Sequence, residues 1–181
     1  METKERRSFF DWQYSQVERR RSNKQWAVIL LLSIPFFLFC ERYVVGVGCI
    51  KDISMLPTLT PGKYFLVNKY SVRFSGPRRG DVVVVRPENH PRWHYVKRVI
   101  GLGGENLSIS QGRVIINGRP LEEPYIREPT EPEMKPLQIP EGSYFLMGDN
   151  RSNSEDSRSF GSVPRNRVEG KIKPGRFFSL W

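Results

Sequence analysis

Residues 79–101 read RGDVVVVRPENHPRWHYVKRVIG, and the fold class follows from them. Asp81 to Val85 is an apolar run behind Arg79-Gly80, and its four consecutive β-branched residues favour an extended chain. A run without polar alternation is the pattern of a strand covered on both faces. After a connection broken by Pro87 and Pro91, His94 to Ile100 form a second strand. Within it Lys97 stands out. With period-two alternation Tyr95, Lys97 and Val99 share one face, and Val96, Arg98 and Ile100 share the other. Burying an ammonium is costly, so two readings stand. In one, the strand lies at a sheet edge and Lys97 snorkels into water. In the other, Lys97 is desolvated enough to lose its proton. Moving a lysine from about 10.4 to about 7 takes roughly 4 to 5 kcal/mol of destabilised charge. Such a lysine can deprotonate a serine.

The same strand-and-turn pattern continues outward. Tyr64 to Val67 is a strand entered through the Pro61-Gly62 turn. Asn106–Ser110 and Arg113–Ile116 flank Gln111-Gly112 as a hairpin, and Asn117-Gly118 is a further two-residue turn signal. Ser143–Met147 and Val168–Ile172 complete the strands. Residues 119–142 are rich in Pro and charge and read as an irregular loop or a small cap. No helix is expected beyond the N-terminal tail and anchor. The composition, 38% hydrophobic with 15 Gly and 14 Pro, excludes a wholly disordered chain and suits many turns. The expectation is a mainly β protein.

Upstream lies a different chemistry. Residues 1–25 form a basic tail containing Arg19, Arg20 and Arg21, and 26–42 form the expected transmembrane anchor. The uncharged run QWAVILLLSIPFFLFC (25–40) is shorter than the ~20 residues that span a hydrocarbon core. Glu41 and Arg42 can complete it by reaching toward head groups, and Trp26 and Tyr43 occupy the interfacial positions. A cleaved signal peptide fits the core length, but no small-x-small site follows at a suitable distance. Basic residues before the span predict a cytoplasmic N-terminus, with residues 43–181 on the exported side of a cell membrane. The net charge of +10 accords with an anionic membrane surface. No recognition-helix pattern or aromatic RNA-binding signature points to nucleic acid. Two cysteines, Cys40 and Cys49, exclude a disulfide framework and a Cys-rich metal site. His90 and His94 are separated by Pro91, so no zinc site is expected. The apolar end Phe177–Trp181 suits contact with a bilayer or closure of the core.

Two further segments bear on Lys97. SMLPTL at 54–59 opens the globular part, and GDNRSNSEDSRSFG at 148–161 alternates acids, bases and hydroxyls. Ser54 reads as a loop serine or a nucleophile. The second segment reads as a solvated loop or as a hydrogen-bonded wall of a site. Together with RGDVVVV at 79–85 and YVKRVIGLGGE at 95–105, these segments resemble the type I signal (leader) peptidases, membrane-anchored Ser-Lys proteases.

The resemblance implies an all-β catalytic core with a small β extension at about 105–142. It implies Ser54 as nucleophile, Lys97 as general base and Ser154 orienting the lysine amine. Asp149 paired with Arg98 and Asp156 with Arg158 would be supports. Ile50, Asp52, Met55, Leu59, Tyr95 and Val96 would meet the substrate, a signal-peptide-bearing preprotein cut after Ala-x-Ala. No cofactor or metal is implied. The Ser54 N–H would donate to the oxyanion. Asp52 departs from the family pattern, since many members place a small or hydroxyl residue there. A carboxylate at that place repels a developing oxyanion unless it turns away or is neutralised by Lys51. Gly103-Gly104-Glu105 in place of Pro-Gly-Asp is a milder departure. Two alternatives follow: a repressor-type Ser-Lys autoprotease, which would need a DNA-binding domain, and a weakened or non-catalytic peptide-binding homologue, which Asp52 favours.

Overall fold

The computed structural model describes residues 24–88 and 92–178, with the backbone alone at 175–178. The basic residues of the tail up to Arg21, His90, Pro91 and the apolar C-terminal side chains therefore lie outside the described residues. The chain divides into two units, Met1–Arg42 and Tyr43–Trp181. Helix α1 (Lys24–Tyr43), all but its last residue in the first unit, has 20 residues and is long and apolar enough to cross a membrane. Lys24, Glu41 and Arg42 add the length that the uncharged run lacks. Ser33 Oγ donates to the Leu30 carbonyl at 2.9 Å, so the hydroxyl has a partner within the helix, as hydrocarbon surroundings require.

The second unit is built on two antiparallel sheets. Its strands are β1 (Val45–Cys49), β2 (Tyr64–Asn68), β3 (Val82–Val85), β4 (Tyr95–Leu102), β5 (Asn106–Ser110), β6 (Arg113–Ile116), β7 (Arg119–Pro120), β8 (Met134–Gln138), β9 (Ser143–Met147), β10 (Val163–Pro164) and β11 (Val168–Phe178). The larger sheet runs β1-β2-β11-β3-β4-β9-β10, and the smaller runs β7-β6-β5-β8.

Period-two alternation explains how the larger sheet is covered on both faces. Val82 and Val84 pack with Ile50, Met55, Leu59, Phe65, Val67 and Ile172. Val83 and Val85 point the other way, onto Val72, Val99, Tyr144, Leu146, Val163 and Val168. Each fully buried apolar side chain contributes about 1.5–3 kcal/mol, so β3 is a strong central anchor. β9 likewise divides its side chains, sending Phe145 and Met147 into a third cluster with Ile100, Leu107, Ile109, Val114, Ile116 and Ile139. That third cluster ties the smaller sheet to the larger. Both hairpin turns expected from sequence are present, with positive φ at Gln111, Gly112, Asn117 and Gly118, as two-residue primed turns demand.

Two open readings are decided and one expectation changes. β4 pairs with β3 on one side and β9 on the other, so Lys97 is not on an edge strand. Residues 119–142 carry strands β7 and β8, not only loop. Every β8 side chain after Met134 is exposed and Pro136 lies within it, so neither burial nor alternation marked it. A helix, α2 (Lys69–Ser75), follows β2. Asn68 caps it by accepting from the Ser71 N–H at 3.0 Å, but Val72 alone is buried, leaving no apolar periodicity to reveal it.

Candidate active site

The site is assembled by the β4–β9 pairing and by the turn between β1 and β2. Ser54 sits in that turn, where Leu56 N–H donates to the Ile53 carbonyl at 3.1 Å and Leu59 N–H to the Met55 carbonyl at 2.8 Å. Beneath it Ile50, Met55 and Leu59 are core residues, at 4%, 1% and 0% exposure. Apolar burial under the turn thus fixes the backbone that carries the serine. The loop after β9 fixes it from the other side: Asn150 N–H donates to the Ser54 carbonyl at 3.0 Å, and Asn150 Nδ2 to the Ile53 carbonyl at 3.2 Å. Gly148 permits this approach. A Cβ there would lie 2.5 Å from the Ser54 carbonyl oxygen and 2.2 Å from Ser154 Oγ, so no larger residue fits without movement.

Lys97 projects from β4 into this junction and is only 1% exposed. Its Nζ hydrogen-bonds Ser154 Oγ at 2.9 Å and lies 5.5 Å from the Tyr95 ring centroid. Burial pushes its pKa down. The charges of Asp52, Asp156 and Glu155 oppose that shift, and Arg158 adds to it. Ser54 Oγ is buried and has no hydrogen-bond partner among the described residues. An unpaired buried hydroxyl costs roughly 1–3 kcal/mol. Ser154 and Lys97 are hydrogen-bonded directly, and Gly148 brings Ser154 and the Ser54 backbone together. Lys97 and Ser54 Oγ are not themselves hydrogen-bonded.

The expected supports are paired. Arg98 grips Asp149 with two parallel bonds, Nε to Oδ1 at 2.8 Å and Nη2 to Oδ2 at 2.6 Å. Arg98 Nη1 also donates to the Gly80 carbonyl at 2.8 Å. Asp156 accepts from Arg158 Nε and Nη2, each at 2.8 Å, and from the Gly148 N–H at 3.0 Å. Burial alone would raise the Asp156 pKa, but the hydrogen bond and charge of Arg158, with Gly148 and Ser154, outweigh it and hold the carboxyl below its usual value. The polar run 148–161 is therefore built round a buried network, with Asp149, Arg151, Asp156 and Ser157 at most 3% exposed, while Ser152, Asn153, Glu155 and Ser159 face solvent.

Several members of this network escaped sequence reasoning. Thr58 donates to Asp149 Oδ2 at 2.5 Å. Tyr125 lies under the Arg98 guanidinium at 3.9 Å. Arg151 pairs with Glu123 at 2.5 Å and also donates to Thr130. Thr58 was legible in principle, as the hydroxyl inside SMLPTL. Glu123 and Tyr125 come from the extension and carry no local signal. Tyr95 and Val96 are half-buried beside Lys97. Tyr95 Oη donates to Glu155 at 3.0 Å, and burial, then Glu155, raises its pKa.

Asp52 does not turn away. Its Oδ1 accepts the Ser54 N–H at 2.8 Å, so the expected oxyanion donor is occupied.

A buried lysine, a buried serine whose hydroxyl has no partner among the described residues, and a second serine bonded to the lysine amine come together within the antiparallel β unit. The family model for signal peptidase, peptidase S26, matches residues 23–175, and the chain belongs to that family. It is 41% identical over 152 residues to a signal peptidase I from Leptolyngbya laminosa, covering 80% of this chain and 72% of that protein. It is 38% identical over 175 residues to a signal peptidase I from Bacillus amyloliquefaciens, covering 86% of each. Signal peptidase I T of Bacillus subtilis is 39% identical over 159 residues, covering 81% and 78%. A crystal structure of a signal peptidase I from Enterococcus faecalis V583 is similar at 32% identity and a TM-score of 0.49, covering 54% of this chain and 97% of that one.

Proposed function

We propose that this chain is a membrane-bound serine endopeptidase that removes N-terminal signal peptides after small residues, with Ser54 as nucleophile and Lys97 as general base. Family membership supplies the substrate class, signal-peptide-bearing preproteins at a membrane. The observation that carries the residue assignment is the environment of Lys97: a buried amine whose hydrogen bond is to a serine hydroxyl, not to a carboxylate. Burial stabilises the neutral amine, and Ser154 aims it. Neutral Lys97 takes the Ser54 proton as Oγ attacks the scissile carbonyl carbon. The resulting ammonium returns that proton to the departing amine, leaving an ester on Ser54. Lys97 then deprotonates water, which attacks the ester and frees the new carboxylic acid and the serine. Tyr95 and Val96, half-buried beside Lys97, would meet the small side chains of an Ala-x-Ala sequence, whereas Ile50, Met55 and Leu59, at 4%, 1% and 0% exposure, would act from the core by fixing the turn and not by contact with substrate. α1 would hold the site at the membrane, with the N-terminus cytoplasmic and residues 43–181 exported.

Full-length protein in detergent should cleave a preprotein at its signal-peptide junction, and Ser54→Ala and Lys97→Ala should each abolish cleavage without unfolding the chain. Full activity in either variant removes the assignment. A reporter fused after Trp181 should be exported, and a cytoplasmic reporter reverses the orientation. The Asp52 contact favours a second reading, a weakened or non-catalytic peptide-binding homologue. The same assay separates them, since that protein would bind the preprotein and leave it intact.

A further inference from the structure

Asp52 sets the resting state of the Ser54 N–H, an argument that rests on the serine–lysine reading above. That N–H is the donor a tetrahedral oxyanion on Ser54 would need, and it already donates to Asp52 Oδ1 at 2.8 Å. Ser54 is buried whereas Asp52 is exposed, so the carboxylate reaches the N–H from the solvent side, where a peptide must enter. The backbone of the turn cannot easily retreat, because Asn150 holds the carbonyls of Ile53 and Ser54. The Asp52 side chain, by contrast, has water to rotate into. One N–H cannot serve a carboxylate and a developing oxyanion together, and two negative charges at that separation repel.

We propose that Asp52 is a built-in gate on acylation: in the resting enzyme its carboxylate occupies the Ser54 N–H, and each turnover requires it to swing out as the scissile carbonyl moves in. The gate also acts on the base. Lys97 faces Asp52 from the β1–β2 turn, Glu155, Asp156 and Arg158 from the loop after β9, and the Tyr95 ring on its own strand. Its partner in register on β3 is Val83, which carries no charge. Among the charges, Asp52 is the largest one opposing the effect of burial on Lys97. Asp52 therefore slows acylation twice, by holding the donor and by favouring the protonated amine.

The test uses the full chain in detergent micelles and a fluorogenic peptide with Ala at the first and third positions before the cut. Asp52→Gly clears the donor. Hydrogen bonds to charged groups are worth enough that kcat/KM should rise about tenfold or more, and the acid limb of the pH profile should move to lower pH. Asp52→Asn keeps an acceptor for the N–H but loses the charge. It should move the acid limb as Gly does, with a smaller gain in rate. Asp52→Ser, which offers a hydroxyl in place of the carboxylate, should behave like Gly and guards against a fold defect specific to glycine. If wild type cleaves, Ser54→Ala is dead, and Gly and Ser leave kcat/KM and the acid limb unmoved, the gate is wrong and the serine–lysine reading stands. If neither wild type nor Asp52→Gly cleaves, both are wrong. Cleavage that appears only in Asp52→Gly and still requires Ser54 supports both.

Discussion

Asp149 is the place to break the network, because three hydrogen bonds end on one carboxylate that is 2% exposed. In Asp149→Ala the Arg98 guanidinium, itself 7% exposed, keeps the Gly80 carbonyl and the face of Tyr125 but loses its counter-charge. Breaking a buried pair from one side costs about 3–5 kcal/mol, mostly the penalty of the charge left behind. Against a total stability of about 5–15 kcal/mol that is a large share. With an m-value of about 1–3 kcal/mol per molar urea, the midpoint should fall by at least about 1 M. Urea unfolding of the full chain in micelles, followed by tryptophan fluorescence, measures it. Replacing both partners, Asp149→Leu with Arg98→Met, should recover most of the loss, since an apolar pair of similar volume is close to neutral. The double variant also tests additivity. A single-variant loss below about 1 kcal/mol, or a double variant as unstable as the single, would refute the idea that the pair is a structural support.

Gly148→Ala places a methyl 2.5 Å from the Ser54 carbonyl oxygen and 2.2 Å from Ser154 Oγ, so the two halves of the site must part. Misplacements near 1 Å cost about a hundredfold in rate, which steady-state kcat will show. Because burial lowers the Lys97 pKa and the active amine is neutral, kcat/KM should rise through an acid limb lying below the ordinary lysine value. Between that lowered folded value and about 10.4 the unfolded chain binds the extra proton, so wild-type stability should rise with pH there. Lys97→Met should abolish that slope and be the more stable protein at pH 7, by about 1.4 kcal/mol for each unit of depression that lies above pH 7, as read by thermal denaturation. Asp156 gives a slope of the same sign in a lower pH window, but as a stabilising group: its folded pKa is lowered, so its contribution is present above about pH 4 and is lost as pH falls through the folded value. Asp156→Asn should flatten that acid transition and cost about 3–5 kcal/mol at neutral pH.

The central strands were legible because their burial is written in local pattern. Val82–Val85 needed only four residues to announce two-sided burial, and the Gln111-Gly112 and Asn117-Gly118 turns fixed the smaller sheet's register. α2 and β8 were illegible for the same reason in reverse, since an exposed helix and an exposed edge strand carry no apolar rhythm. Lys97 was ambiguous in isolation: whether a lysine in a strand is buried depends on which strands flank it, a property of the sheet order and not of the segment. The Glu123–Arg151 pair and the Tyr125–Arg98 stack join segments distant in sequence, and nothing local encodes them. For Asp52 the sequence reading weighed repulsion of the oxyanion against turning away or neutralisation by Lys51, and missed a short-range alternative, the turn in which Asp accepts the N–H two residues on.

Acylation of Ser54 can be read directly from the intact mass of the enzyme after rapid acid quench during turnover of a signal-peptide substrate, followed by peptide mapping. An ester-linked adduct, with the mass of the signal-peptide half, is expected on the fragment containing Ser54, formed more slowly as pH falls below the acid limb. Cleavage that continues in Ser54→Ala, or an adduct that maps to any other residue, would contradict it.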